Sequence, residues 1–176
     1  SFIVATGGTI TTCGNCKIHT FTGPGSFVVC SISSTPANNE ISYLVVAGGA
    51  SGGYDDGGGG GGAGGFREDK SPVTPYTASP LDGAGPITLT AATFPIQVGA
   101  GGAARTTASA GAPGSNSIFS TITSTGGGGG GTRPASPDAL GGGSGGGGGG
   151  KGPPQSPAGA GNTPPVTPSQ GFPGGT

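Results

Sequence analysis

The stretch Leu140 to Pro153, "LGGGSGGGGGGKGP", decides how the chain folds, because nine of the ten residues 141–150 are glycine. Ordering ten such residues costs on the order of 10–20 kcal/mol, and they offer no side chains to bury. Only backbone hydrogen bonds, at about 1 kcal/mol each, can offset that cost. We therefore expect several glycine tracts to pack together as extended threefold helices of the polyproline II type, bonded to their neighbours.

The composition excludes several classes of protein. Gly and Pro supply 62 of the 176 residues, whereas 7% are charged and the net charge is −1. The low charge argues against a disordered chain, and glycine at irregular spacing argues against collagen. Six scattered Lys and Arg residues give no basic surface for nucleic acid, and no apolar run is long enough for a membrane helix.

The amino-acid composition of the chain changes near residue 47. Residues 1–47 contain short apolar and Thr-rich runs separated by Gly-Gly, "CGNC" and "TGPG" turns, which predict a small antiparallel β module. Residues 48–176 alternate glycine tracts with Pro/Ser/Thr spacers, and no helical periodicity occurs anywhere. The predicted fold is therefore all-β plus polyglycine II, with an N-terminal β module at 1–47, a glycine-rich polyproline-II-type helix bundle at 48–176, and no α-helix.

The spacers are predicted to be chain reversals at the ends of the bundle. Loops on a rigid scaffold can vary in sequence and often carry binding residues. The receptor-binding candidates in these spacers are Tyr76, Leu81, Arg105, Arg133 and Asp138. A bulky residue within a tract, as in Gly147→Val, is expected to prevent folding, whereas Ser136→Ala in a spacer is expected to be tolerated.

Three cysteines lie in the N-terminal module. Cys13 and Cys16 flank a two-residue turn, and Cys30 lies in the following apolar run. In an extracellular protein this pattern favours a disulfide between Cys30 and either Cys13 or Cys16, with the third thiol left over. The alternative is a Cys3His zinc site completed by His19, the single histidine.

No other motif indicates catalysis or a cofactor. The run "GGGGGGKG" resembles a phosphate loop up to Lys151, but Gly152 stands where a Ser or Thr must bind magnesium. His19 lacks a Ser or Asp constellation and is interpreted as a structural strand residue. Asp55 and Asp56 are interpreted as turn residues, and the run Arg67 to Lys70 as a surface cluster or local ion pair. We expect no enzyme activity, no cofactor and no bound metal.

Five stretches carry a resemblance to a known family. They are "ATGGTITTCGNCKIHTFTGPGSFVV" (5–29), "YLVVAGGASGG" (43–53), "GGGGGGAGGFRE" (57–68), "FPIQVGAGG" (94–102) and "SNSIFSTITSTGGGGGG" (115–131). In this order they resemble the glycine-rich domain of tailed-phage structural proteins, mostly tail fibres of marine and freshwater phages. The resemblance implies a virion location and recognition of a host surface through loops at the ends of polyglycine II bundles.

Two functions follow as expectations. The first is a structural virion appendage, such as a phage tail fibre or adhesin, that presents loops to a host cell-surface receptor. The second is an extracellular filament or matrix subunit that polymerises through its N-terminal "SFIVA" strand. Both predict self-association, a virion or extracellular location, no nucleic-acid partner and no membrane insertion.

Overall fold

A computed structural model describes residues 2–132, 138–150 and 155–176. Within these ranges the structure contains eleven β-strands, one 3-10 helix at Pro36–Asn39 and no α-helix, as predicted. The strands are β1 Val4–Thr6, β2 Thr9–Cys13, β3 Cys16–Thr20, β4 Gly25–Ser31, β5 Glu40–Ile41, β6 Tyr43–Val46, β7 Phe66–Asp69, β8 Ile87–Thr88, β9 Thr93–Gln97, β10 Ser117–Phe119 and β11 Ile122–Ser124.

The main sheet has five antiparallel strands in the order β1-β4-β9-β10-β11. Strand β4, "GSFVVCS", alternates so that Phe27 and Val29 are buried on one face. On that face Phe27 and Phe119 meet edge to face with ring centroids 6.1 Å apart, and Tyr43 packs against Phe119 in the same way at 6.2 Å. This aromatic cluster forms the core of the sheet.

Three smaller two-stranded sheets complete the regular structure: β2–β3, β5–β8 and β6–β7. The β2–β3 hairpin turns through Gly14 and Asn15, which confirms the predicted two-residue turn. Gly14 has φ +57°, the conformation that a type II′ turn requires at its first central position.

The glycine-rich segments are joined to one another by backbone hydrogen bonds. Gly62 donates to Gly128, Gly128 donates to Ser144, and Ser144 donates to Ala63, all at 2.8–3.0 Å. We call the bonded segments the glycine scaffold; its ranges are 47–65, 99–102, 110–115, 125–131, 140–150, 156–160 and 172–175. The predicted bonding between tracts is therefore present.

The prediction of a polyproline-II-type helix bundle is wrong, and so is the threefold helix predicted for 141–150. The regular structure of the described residues is β-sheet, and no polyglycine II bundle is found in them. The reason lies in the connections, because the glycine segments continue directly from strands. The Ala47 N–H bonds to the Gly65 carbonyl as the next rung after the Val46–Phe66 pair of β6 and β7. In addition, β9, β10 and β11 join β4 in one sheet across the predicted boundary at 47/48.

Candidate functional site

An apolar groove lies where β6 and β7 meet the spacer at 70–86, here called the first spacer, and residues 168–172, here called the C-terminal segment. It encloses about 600 Å³ and is lined by Val46, Ala63, Gly64, Phe66, Ser79, Pro80, Leu81, Ser144, Gln170, Gly171 and Phe172. Val46 is 50% exposed and Phe172 is 64% exposed. The groove thus presents large apolar side chains to solvent on a surface built from five separate parts of the chain.

Buried charged residues follow Phe66, which lines the groove, along β7. The run Arg67 to Lys70 was predicted to form a surface cluster or a local ion pair. The surface location is wrong for Arg67, Glu68 and Asp69, which are all buried. Arg67 donates to the backbone carbonyls of Pro168 at 3.2 Å and Ala84 at 3.3 Å. The guanidinium therefore ties β7 to both the first spacer and the C-terminal segment, and carbonyls stabilise its charge.

Carboxylates hold the first spacer in place by accepting backbone N–H groups. Glu68 accepts from Ser79 at 3.0 Å, and Asp69 accepts from Gly85 at 3.0 Å. Asp82 lies within the first spacer, and its carboxylate accepts the backbone N–H of Lys70, next to β7, at 2.7 Å. These charge-assisted bonds fix the segment that carries Leu81 into the groove.

Three side chains on or next to β7 have shifted pKa values. Burial, reinforced by the Asp69 charge, raises the pKa of Tyr43 to about 12. Burial and a hydrogen bond with Glu68 raise the pKa of Tyr76 to about 12. Burial alone would raise the pKa of Glu68, but hydrogen bonds from Ser79 and Tyr76 outweigh it and lower that pKa. At neutral pH Tyr43 and Tyr76 therefore keep their protons, and Glu68 is ionised.

Of the predicted loop residues that the structure describes, Leu81 lines the groove. Tyr76 hydrogen-bonds with Glu68, and the Lys70 ammonium lies 5.7 Å from its ring centroid. Arg105 is exposed and donates from Nε to the Ala110 carbonyl at 2.9 Å, and Asp138 is exposed, but neither lines the groove. Arg133 and the phosphate-loop lysine, Lys151, lie outside the described residues.

The N-terminal candidates lie in two different sheets. All three cysteines are free, and Cys13 lies opposite Cys16 in the hairpin, whereas Cys30 is on β4 of the main sheet. His19 lies in β3, where Nδ1 is 2.9 Å from the Gly7 carbonyl and the ring packs on Phe27. Across the ranges that the structure describes, no three His, Cys, Asp or Glu residues group as metal ligands would.

The turn at Asp55 matches its interpretation. The Asp55 carboxylate accepts the Asp56 N–H at 2.8 Å, and the Asp55 carbonyl accepts the Gly58 N–H at 3.1 Å. Both bonds are local, as expected of a turn between two glycine segments.

Sequence reasoning missed Val46, Gln170 and Phe172. Gln170 is 1% exposed; its side-chain oxygen accepts the Thr125 N–H at 2.8 Å, and its amide donates to Pro164 at 3.0 Å. These bonds fix the C-terminal segment that brings Phe172 to the groove. The sequence signal for this part of the groove was weak, since Phe172 is a single large apolar residue in a segment rich in Pro and Gly.

No helix within the described ranges is both long and apolar enough to cross a membrane.

The comparisons with known proteins place the chain in a family. No curated protein and no solved structure matches the chain. A family model described as a glycine-rich domain matches residues 22–176, which is most of the chain. The chain therefore belongs to the glycine-rich domain family.

Proposed function

We propose that this chain is a structural appendage protein of a virion, a phage tail fibre or adhesin, that contacts a host cell surface through the apolar groove. The observation that carries the proposal is the groove itself. Exposed Val46 and Phe172 lie beside Leu81 on a base of buried, hydrogen-bonded charges. Large apolar side chains gathered at an exposed groove are typical of an interaction surface.

The glycine scaffold supports this role. Its segments are joined mainly through backbone groups, and side chains of the spacers bond to it at single positions, as Gln170 does at Thr125. The spacer from 70 to 86 is instead fixed by Glu68, Asp69 and Asp82. A binding surface held in this way loses little conformational entropy when a receptor binds.

Immunogold electron microscopy with antibodies against the chain tests the location. The proposal predicts gold at sparse fibres on capsid-bearing particles. Particles that carry no gold would contradict it.

Host-cell adsorption tests the surface. The purified chain should compete with particles for host cells, and Phe172→Asp should lose that competition. The matched control is Val73→Asp, since Val73 is 68% exposed but does not line the groove. Both variants should melt like the parent, and equal competition by the two would contradict a role for the groove.

A second candidate function is a filament subunit that polymerises through β1. The observation in its favour is that β1 forms an edge of the main sheet, with Phe2 78% exposed and Val4 51% exposed. An edge strand without charge can pair with a strand of another chain. Gold along long, uniform, capsid-free filaments would favour this function over the first.

A further inference from the structure

The β2–β3 hairpin projects from the sheet. All of β2 is exposed, and β3 is exposed except for partial burial at Cys16 and His19. His19 anchors the base of the hairpin on Gly7 and Phe27. A two-stranded hairpin is marginally stable by itself in water, so a cross-link at the exposed tip would add stability.

The two cysteines at the tip face each other. Cys13 and Cys16 are the last cross-strand pair of the hairpin, directly before the Gly14–Asn15 turn. Directly opposed residues of an antiparallel ladder have Cα atoms about 4.5–5.5 Å apart. That range lies within the roughly 4.4–6.8 Å over which a disulfide joins two Cα atoms.

Cys30 is placed elsewhere. It lies on β4, where Phe27 and Val29 are buried and Cys30 is exposed. Alternation along the strand directs Cys30 away from the face that His19 and the hairpin base contact. The ladder thus pairs Cys13 with Cys16, and Cys30 has no cysteine opposite it.

We infer that Cys13 and Cys16 close a disulfide across the hairpin tip in an oxidising environment, leaving Cys30 as the unpaired thiol. With a small-molecule disulfide such as oxidised glutathione as oxidant, one cysteine thiolate attacks a glutathione sulfur and expels one glutathione. The second cysteine then attacks the protein sulfur of the mixed disulfide and expels the other. The two thiols lose two protons and two electrons, and the oxidant becomes two molecules of glutathione. The inference does not depend on the appendage function.

Tryptic mapping distinguishes the pairings, because cleavage after Lys17 leaves Cys13 and Cys16 on fragment 1–17 and Cys30 on fragment 18–67. The folded full chain is incubated with oxidised glutathione, alkylated with iodoacetamide under denaturing conditions and digested without reductant. We expect fragment 1–17 to be free, unalkylated and lighter than its dithiol form by two hydrogen atoms. Fragment 1–17 linked to 18–67, or carrying two alkyl groups, would overturn the inference.

Two variants serve as matched controls. Cys30→Ser should leave closure within fragment 1–17 unchanged, because Cys30 takes no part in it. Cys16→Ser should abolish closure and leave Cys13 alkylated or joined to glutathione. Loss of closure in Cys30→Ser would equally overturn the inference.

Discussion

Gly131 donates its backbone N–H to the carbonyl of Gly147 across 2.9 Å, and Gly147 donates in turn to Gly60 across 2.8 Å. Three segments far apart in the sequence are thus joined without any side chain. A Cβ atom added at neighbouring Gly130 would overlap the Gly59 carbonyl oxygen. Glycine is required at such positions because another backbone occupies the space that a side chain would need.

Replacement of Arg67 should destabilise the fold. Arg67→Ala removes the bonds to Pro168 and Ala84 and leaves these two part-buried carbonyls without their donor. We expect a loss of about 3 kcal/mol in the free energy of unfolding, measured by urea denaturation. The control Arg105→Ala, at an exposed arginine with a single backbone bond, should cost less than about 1 kcal/mol. Equal costs would show that Arg67 does not join the segments.

Gln170 should be sensitive for a similar reason. Gln170→Ala leaves the part-buried Thr125 N–H without its acceptor and opens a gap at a buried side chain, so we expect a cost of ~2 kcal/mol in denaturant titration. Gln97 is the matched control, since its amide donates to Asn116 at an exposed site. Gln97→Ala should change stability by less than about 0.5 kcal/mol. A neutral Gln170→Ala would contradict its role in fixing the C-terminal segment.

Stability should fall in alkaline solution. Tyr43 keeps its proton up to about pH 12 in the folded chain, whereas its ordinary pKa is 10.0. The folded state therefore binds more protons than the unfolded state between these values, and stability falls as pH rises through that window. Tyr76 contributes in the same direction.

The variant Tyr43→Phe separates the contribution of Tyr43 to the alkaline loss of stability from that of Tyr76. It removes the 2.6 Å bond from Tyr43 to the Gly85 carbonyl, at a cost of about 1 kcal/mol at neutral pH. It should also reduce the fall in melting temperature between pH 10 and 12, leaving the part that Tyr76 contributes. An unchanged alkaline profile in this variant would refute the assignment to Tyr43.

The sequence predicted features that local chemistry determines. "CGNC" predicted the hairpin turn because Gly14 suits the positive φ that the turn requires. The glycine runs predicted bonding between tracts because they have no other source of stabilisation. The conformation of the tracts was predicted wrongly, since it follows from their continuity with β6, β7 and β11, which depends on sheet pairing.

Long-range contacts could not be predicted. The run Arg67 to Asp69 looks like a solvated charge cluster until Pro168, 101 residues away, supplies a carbonyl to Arg67. The groove likewise requires Phe172 to reach Val46, and no periodicity in the sequence encodes that approach. Glycines within a run also look equivalent, but a Cβ at Gly147 would have van der Waals room, whereas one at Gly146 would overlap Gly129. The close backbone contact that the prediction for Gly147→Val assumed is therefore absent at Gly147, and its control, Ser136, lies outside the described residues.

The most direct test compares two adjacent glycines of one tract. A Cβ at Gly59 would overlap the Gly147 carbonyl, whereas a Cβ at Gly60 meets nothing within 4 Å, and neither residue has a positive φ. Thermal and urea unfolding of Gly59→Ala should show a loss of roughly 2–3 kcal/mol, because the bonded segments must move apart. Gly60→Ala should be neutral or stabilised by up to about 1 kcal/mol, because alanine restricts the unfolded chain. Identical unfolding of the two variants would contradict the claim that backbone contacts between glycine segments hold this fold together.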